Sequence, residues 1–172
     1  MSYRCSVCGE SHDDLPDIGL DKPDDWWSVP EDEREQRIKL TPETCIIDDD
    51  CYIRGVIEIP IHDHPEDFGF GVWVSQKREN FDAYLENFDS DETGPFFGWL
   101  CTNIAYYEKG TRHLKTMAHF RGRTCRPGIE LEPSDHPLAT AQRHGITLDQ
   151  AWKIVHFYLD DEQDTENLDV ET

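Results

Sequence analysis

The sequence predicts an α+β fold, a single domain in which an antiparallel β-sheet is flanked by helices and preceded by a zinc-knuckle-like turn. Three observations lead to this prediction. The chain has 172 residues, which is enough for one hydrophobic core and short for two. Its middle alternates apolar and polar residues as strands do, and later stretches have helical spacing. A CxxC pair near the start supplies the turn.

Residues 5–45 are expected to form an arm that lies on the body of the domain. Its acidic sequence also carries apolar side chains, among them Trp26 and Trp27, which a free tail would not need. A short helix is expected from Pro30 to Ile38. Proline suits a first helical turn, and the carboxylates that follow suit the positive end of the helix.

A hairpin is expected in the middle of the chain. Isoleucines fall on odd positions of "CYIRGVIEIPI", whereas Arg54 and Glu58 fall on even ones, the two-residue period of a half-buried strand. "FGFGVWVS" gives a second strand across the turn "HDHPED", so the two strands should pair in antiparallel fashion. The apolar spacing of "ENFDAYLENF" then indicates a helix.

The second half of the chain supplies further strands and two helices. "FFGWLCTNI", "RHLKTMAHF" and "GIELE" are the strand candidates, and "HPLATAQRHG" is typical of a helix that ends at Gly145. Thr147 and Gln150 form a capping-box pattern in front of the last helix. The domain is therefore predicted to cover residues 1–159, and the acidic residues 160–172 are predicted to form a disordered tail.

The charge of the chain limits its partners. A formal net charge of −21 repels nucleic acid and anionic membranes, so a basic protein partner is favoured. A salt-loving host is an alternative explanation of the acidity.

Neither a signal-peptide pattern nor a membrane-spanning stretch is visible in the sequence, which predicts a cytoplasmic protein. In that compartment its six cysteines are expected to be thiols or metal ligands.

The octet "CSVCGESH" predicts a metal site. Cys5 and Cys8 can direct two thiolates at one tetrahedral zinc ion, His12 is the nearest third ligand, and Cys45 is the choice for the fourth, with His136 in reserve. Four protein ligands leave no open position, which makes the site structural. A thioredoxin-like redox pair would follow an established strand, but only four residues precede Cys5. Unligated thiols are the remaining alternative.

A second candidate metal site is the turn "HDHPED". On an extended backbone His62 and His64, which flank Asp63, project to one side, and Glu66 or Asp67 could join them in a hydrolytic site. The favoured interpretation is a solvated polar turn, because the sequence offers no distant ligand or general base for such a reaction.

A weak candidate for anion or substrate binding comprises Arg126, Asp135, His136 and Gln142. Arginine could hold an anionic substrate and histidine could transfer protons. Arg126 ends a stretch, residues 109–126, with six basic residues and no carboxylate. We favour the interpretation that this stretch pairs internally with acidic neighbours.

Several segments together resemble a bacterial family known as domain of unknown function 2199. They are "CSVCGESH", "CIIDDDCYIRGVIEIPI", "FGVWVSQ", "FFGWL", "RPGIELEPSDHPLATAQRHGIT" and the closing helix. The resemblance extends from Cys5 to about Phe157. It implies a single bacterial cytoplasmic domain in which Cys5, Cys8, His12 and Cys45 match the family's pattern, and it implies no activity.

The sequence thus predicts a non-enzymatic binding protein with a structural zinc site and an acidic surface for a basic partner. An inhibitor or immunity-type protein against a basic toxin is one version, motivated by the charge. No catalytic residue is assigned. The alternatives are a small-molecule enzyme that uses the pocket around Arg126 and His136, and a metal-dependent hydrolase that uses the turn from His62 to His64.

Overall fold

The computed structural model of the protein describes residues 2–90 and 92–168, the last eight of these as backbone alone. Its strands are β1 Tyr3–Arg4, β2 Ser11–His12, β3 Ile18–Gly19, β4 Ile38–Leu40, β5 Thr44–Ile47, β6 Asp50–Ile59, β7 Phe68–Gln76, β8 Phe96–Trp99, β9 Lys115–His119 and β10 Gly128–Leu131. Its helices are α1 Asp25–Ser28, α2 Arg34–Arg37, α3 Arg78–Glu86, α4 Pro137–His144 and α5 Leu148–Leu168. The fold is mixed α and β, as predicted.

The predicted hairpin is confirmed as β6 and β7, which pair in antiparallel register from Cys51 opposite Gln76 to Ile59 opposite Phe68. The odd-numbered isoleucines of β6 are buried, as the alternation predicts. Arg54 lies at an even position, which the alternation predicts to be exposed, but it is buried because the arm covers that face of the strand. Its guanidinium lies 5.9 Å from the ring of Trp73 and pairs with Asp21 of the arm at 3.1 Å.

The sheet is mixed, and the prediction of an antiparallel sheet is wrong in this respect. Strand β3 runs parallel to β7, and β10 runs parallel to β6. The second pair has a topological cause. Strands β6 to β10 alternate in direction along the chain, so the first and fifth run the same way. They must pair in parallel when the sheet curls and brings them together.

The curled sheet, which we call the barrel, closes where the end of β8 meets β7. The Trp99 amide donates to Ser75 Oγ at 3.1 Å, and the Cys101 amide donates to the Trp73 carbonyl at 2.8 Å. The larger core cluster contains the buried isoleucines of β6 together with apolar residues of β7, β9 and β10. A smaller cluster, with Trp73 and Cys101, also contains Val29 of the arm.

The predicted helices occur with small changes of boundary. The expected helix from Pro30 to Ile38 is a 3₁₀ turn followed by α2, and Ile38 already begins β4. Helix α4 ends at Gly145, whose φ of 79° favours glycine. The capping box before α5 is confirmed, since Gln150 N donates to Thr147 Oγ1 at 3.1 Å and Thr147 N donates to Gln150 Oε1 at 2.9 Å.

Helix α5 is longer than the sequence predicted. It continues to Leu168, so most of the segment predicted as a disordered tail, residues 160–172, is helical here. That segment is acidic but contains neither proline nor glycine, so no residue in it forces the helix to stop. Residues 169–172 lie outside the described residues. Within the described residues, no helix combines the length and the apolar character needed to cross a bilayer.

Candidate metal centre

The N-terminal turn brings two thiols toward one point. Strands β1 and β2 pair in antiparallel fashion, with Tyr3 opposite His12. The Cys5 amide donates to the carbonyl of Glu10 at 2.8 Å, and the Gly9 amide donates to the carbonyl of Cys5 at 2.9 Å. Gly9 has a φ of 76°, in the left-handed region where glycine carries no steric penalty. The turn therefore places Cys8 and His12 beside Cys5.

The fourth side chain comes from α5. Cys5 Sγ lies 3.3 Å from His156 Nε2, and Cys8 Sγ lies 3.2 Å from His12 Nε2. The four ligand atoms all lie within 4.8 Å of one another. A tetrahedral zinc ion with ordinary Zn–S and Zn–N bonds has ligands separated by about 3.4 to 3.8 Å. The four residues can therefore hold a metal ion with only small side-chain movements.

Other residues of α5 fix the turn in this position. Trp152 stacks on the ring of His12, with centroids 4.0 Å apart and planes 19° apart. Asp149 accepts hydrogen bonds from the Tyr3 hydroxyl, at 3.0 Å, and from the Ser6 hydroxyl. Asp149, Trp152 and His156 follow each other at intervals of three and four, so they share one face of the helix. That face holds the whole N-terminal turn.

Cys45 is not part of the group, and the prediction that it is the fourth ligand is corrected. It lies in β5 opposite Tyr52, fully buried in the smaller core cluster. Burial raises the pKa of its thiol to about 12. The reserve ligand His136 lies elsewhere too. It caps α4, where Nδ1 accepts from Leu138 N at 3.1 Å, and its Nε2 is 2.7 Å from the Lys109 carbonyl.

The candidate anion-binding residues each contact another part of the chain. Arg126 pairs with Glu43 at 3.0 Å, and Asp135 lies 3.6 Å from the ammonium of Lys109. Gln142 accepts from the Leu131 amide and donates to the Ile129 carbonyl, both at 2.8 Å, where β10 has separated from β6. Gln142 therefore completes the hydrogen bonding of a strand edge.

The basic stretch 109–126 pairs with acidic neighbours, as the favoured interpretation predicts. Its ion pairs join residues that are distant in sequence. Besides Arg126 with Glu43 and Lys109 with Asp135, they include Arg112 with Asp25 at 2.6 Å, Arg121 with Glu58 at 2.8 Å and Arg123 with Asp89 at 2.6 Å. These pairs neutralise most of the positive charge of the stretch within the protein.

The turn from His62 to His64 does not form a metal cluster. His62 Nε2 lies 2.8 Å from the His144 carbonyl, and His64 Nδ1 lies 3.1 Å from the Glu66 carbonyl. Asp63 and His64 instead line a cleft of about 440 Å³ that His12 also lines. Among the described residues, the group formed by Cys5, Cys8, His12 and His156 alone brings three or more Cys, His, Asp or Glu ligand atoms close enough to share an ion.

Alkylation should separate the cysteines into two classes. Cys125 is exposed, whereas Cys45 and Cys101 are buried and their pKa values are raised, mainly by burial, to about 12 and about 11. At pH 8 iodoacetamide should modify Cys125 in the folded protein, and Cys45 and Cys101 only in denaturant, because the thiolate is the nucleophile. Peptide mass mapping checks this, and modification of Cys45 alongside Cys125 would contradict the described packing.

Comparison with known proteins identifies a family for most of the chain. No curated protein and no solved structure matches the chain. Residues 4–146 match the family described as an uncharacterized protein conserved in bacteria, DUF2199. The matched range includes Cys5, Cys8 and His12 and ends before His156. The protein thus belongs to this bacterial family, DUF2199.

Proposed function

We propose that the protein is a non-enzymatic binding domain in which a structural zinc ion fastens the N-terminal turn to α5 and an acidic surface engages a basic protein. The convergence of Cys5, Cys8, His12 and His156 carries the proposal. Two thiolates and two imidazoles are a common ligand set of structural zinc, and four protein ligands leave no position for substrate or water.

The position of the group explains what the ion would contribute. Cys5 and His156 are 151 positions apart, so one ion would join the two ends of the domain. Strands β1 and β2 are only two residues each and pair only with each other, so a metal ion would add to the few contacts that hold the turn on α5. Metal binding that requires this arrangement stabilises the folded state.

The charge distribution supports a basic partner. The net charge is −21, and the main stretch of positive charge is occupied by ion pairs within the protein. The field outside the protein is therefore negative, which speeds encounter with a basic protein and disfavours nucleic acid. An inhibitor or immunity-type protein against a basic toxin fits this description. The enzyme alternative has less support, because Arg126, His136 and Gln142 are already held in internal contacts.

Native mass spectrometry tests both parts of the proposal. Protein purified without chelator should carry one zinc ion per chain, and Cys8 should resist iodoacetamide until the ion is removed. At low salt the protein should retain a basic protein from a bacterial lysate, and the purified pair should weaken as salt is raised. Zinc-free protein with freely reactive Cys8 would contradict the metal part. A partner that is acidic, or whose affinity ignores salt, would contradict the binding part.

A further inference from the structure

Strand β8 exposes two aromatic rings on the outer face of the barrel. Phe96 packs toward the core and Gly98 is buried, so Phe97 and Trp99 point outward, each 42% exposed. Their rings contact each other edge to face, with centroids 5.2 Å apart. Single exposed apolar residues are common on protein surfaces, but adjacent aromatic rings on a regular strand form a ready contact surface.

A shallow groove lies beside these rings. It has a volume of about 150 Å³, and its apolar walls include Phe97, Met117, Leu131 and Pro133. Strand register explains the arrangement, because Phe97 lies opposite Met117 across β8 and β9. The groove is large enough for one apolar side chain of a partner. We call Phe97, Trp99, Met117 and this groove the β8 surface.

Carboxylates border the β8 surface. Glu130 and Glu132 also line the groove, and both are exposed. Glu130 lies 2.7 Å from His119, whereas Lys115 lies opposite Trp99 in the neighbouring strand. With a chain charge of −21, two copies of this protein repel each other, so a cationic partner suits the surface better than a second copy.

We infer that the β8 surface docks a basic segment of another protein. One apolar side chain of that segment enters the groove between Phe97 and Pro133, and a neighbouring lysine or arginine contacts Glu130 or Glu132. Aromatic residues are enriched at the energetic centres of interfaces, and surrounding charges set encounter and specificity. The inference rests on the proposed function, since it gives the basic partner a place on the surface.

Selection of peptides tests the inference directly. Random peptides of about 12 residues, displayed on phage, are selected on the full zinc-loaded protein at low salt. We expect enriched peptides to carry an apolar residue next to lysine or arginine. A synthetic peptide with an enriched sequence should bind the Phe97→Ser variant of the protein about tenfold more weakly than it binds wild type. Such a loss is typical of a central interface residue. Trp27→Ser is the matched control, because Trp27 is 64% exposed but lies in α1.

Each outcome separates this inference from the proposed function. Basic peptides that bind Phe97→Ser as tightly as wild type would overturn the β8 surface and leave the proposed function intact. Enrichment of acidic peptides would overturn both the inference and the basic partner of the proposed function, whereas enrichment of no peptide would overturn the inference alone. A wild-type dimer in sedimentation that Phe97→Ser dissociates would assign the surface to a second copy and overturn the inference. Near-ultraviolet circular dichroism and zinc content verify that the variants are folded.

Discussion

His156→Ala is expected to abolish zinc binding, whereas Cys45→Ala is expected to retain one zinc ion per chain. His156 Nε2 lies 3.3 Å from Cys5 Sγ within the ligand group, and Cys45 lies in the smaller core cluster. The two variants therefore distinguish the ligand set of the structure from the set that sequence spacing alone favours. Elemental analysis of the purified proteins gives the first readout.

The second readout is the stability that the metal confers. A ligand that binds only the folded state adds about 4 kcal/mol when its free concentration is a thousand times Kd. Wild type should therefore melt at a markedly higher temperature with zinc than with a chelator, and His156→Ala should show no such difference. Cys45→Ala loses buried contacts, which costs on the order of 1 kcal/mol, but its zinc-dependent shift should equal that of wild type.

A control and a contrary result complete this experiment. His119→Ala replaces an exposed histidine outside the ligand group and should behave as wild type in both measurements. If Cys45→Ala loses zinc and His156→Ala keeps it, the ligand set described here is wrong.

The elements that depend on near neighbours in sequence could be predicted. The β6 and β7 hairpin follows from alternation and a short turn, and the cap of α5 follows from Thr147 and Gln150. Three of the four metal-site residues lie within eight positions of one another, so their convergence requires only a tight turn at Gly9. In each case the chain needs few long-range contacts to bring the residues together.

The fourth ligand could not be predicted in this way. His156 meets Cys5 only because α5 packs against the N-terminal turn, a contact across 151 positions. The one sequence signal for His156 as a ligand is its position one turn after Trp152, at the edge of the apolar face of α5. A histidine at that edge is partly buried and can reach a neighbouring element. Cys45 lies within β5, and its side chain is buried in the smaller core cluster.

The parallel pairing of β6 with β10 does not follow from the sequence, for a similar reason. Each strand was recognisable alone, but their partners depend on the number of strands that close the barrel. Arg54 reflects another long-range effect, since alternation places it on the face that the arm covers. Packing of the arm thus decides the burial of a side chain that local pattern predicts to be exposed.

Gly98→Ala is expected to destabilise the fold strongly, because Gly98 lies where β8 closes the barrel against β7. A Cβ atom at Gly98 would overlap the Ser75 carbonyl oxygen and lie 2.8 Å from Gln76 Nε2. Backbone atoms cannot rotate away as a flexible side chain can, so β8 would have to move off β7. The hydrogen bond from the Trp99 amide to Ser75 Oγ would then be lost.

Overpacking of this kind costs about 3 kcal/mol, which denaturant unfolding followed by tryptophan fluorescence can measure. Gly128→Ala is the matched control, because it also adds one methyl group in a barrel strand. Its nearest new contacts are Arg121 side-chain atoms at 3.7 Å, so its cost should stay below about 1 kcal/mol. A general loss of backbone freedom would affect both variants alike. Equal unfolding midpoints would therefore contradict the contact of β8 with β7, whereas a large difference would locate the cost at that closure.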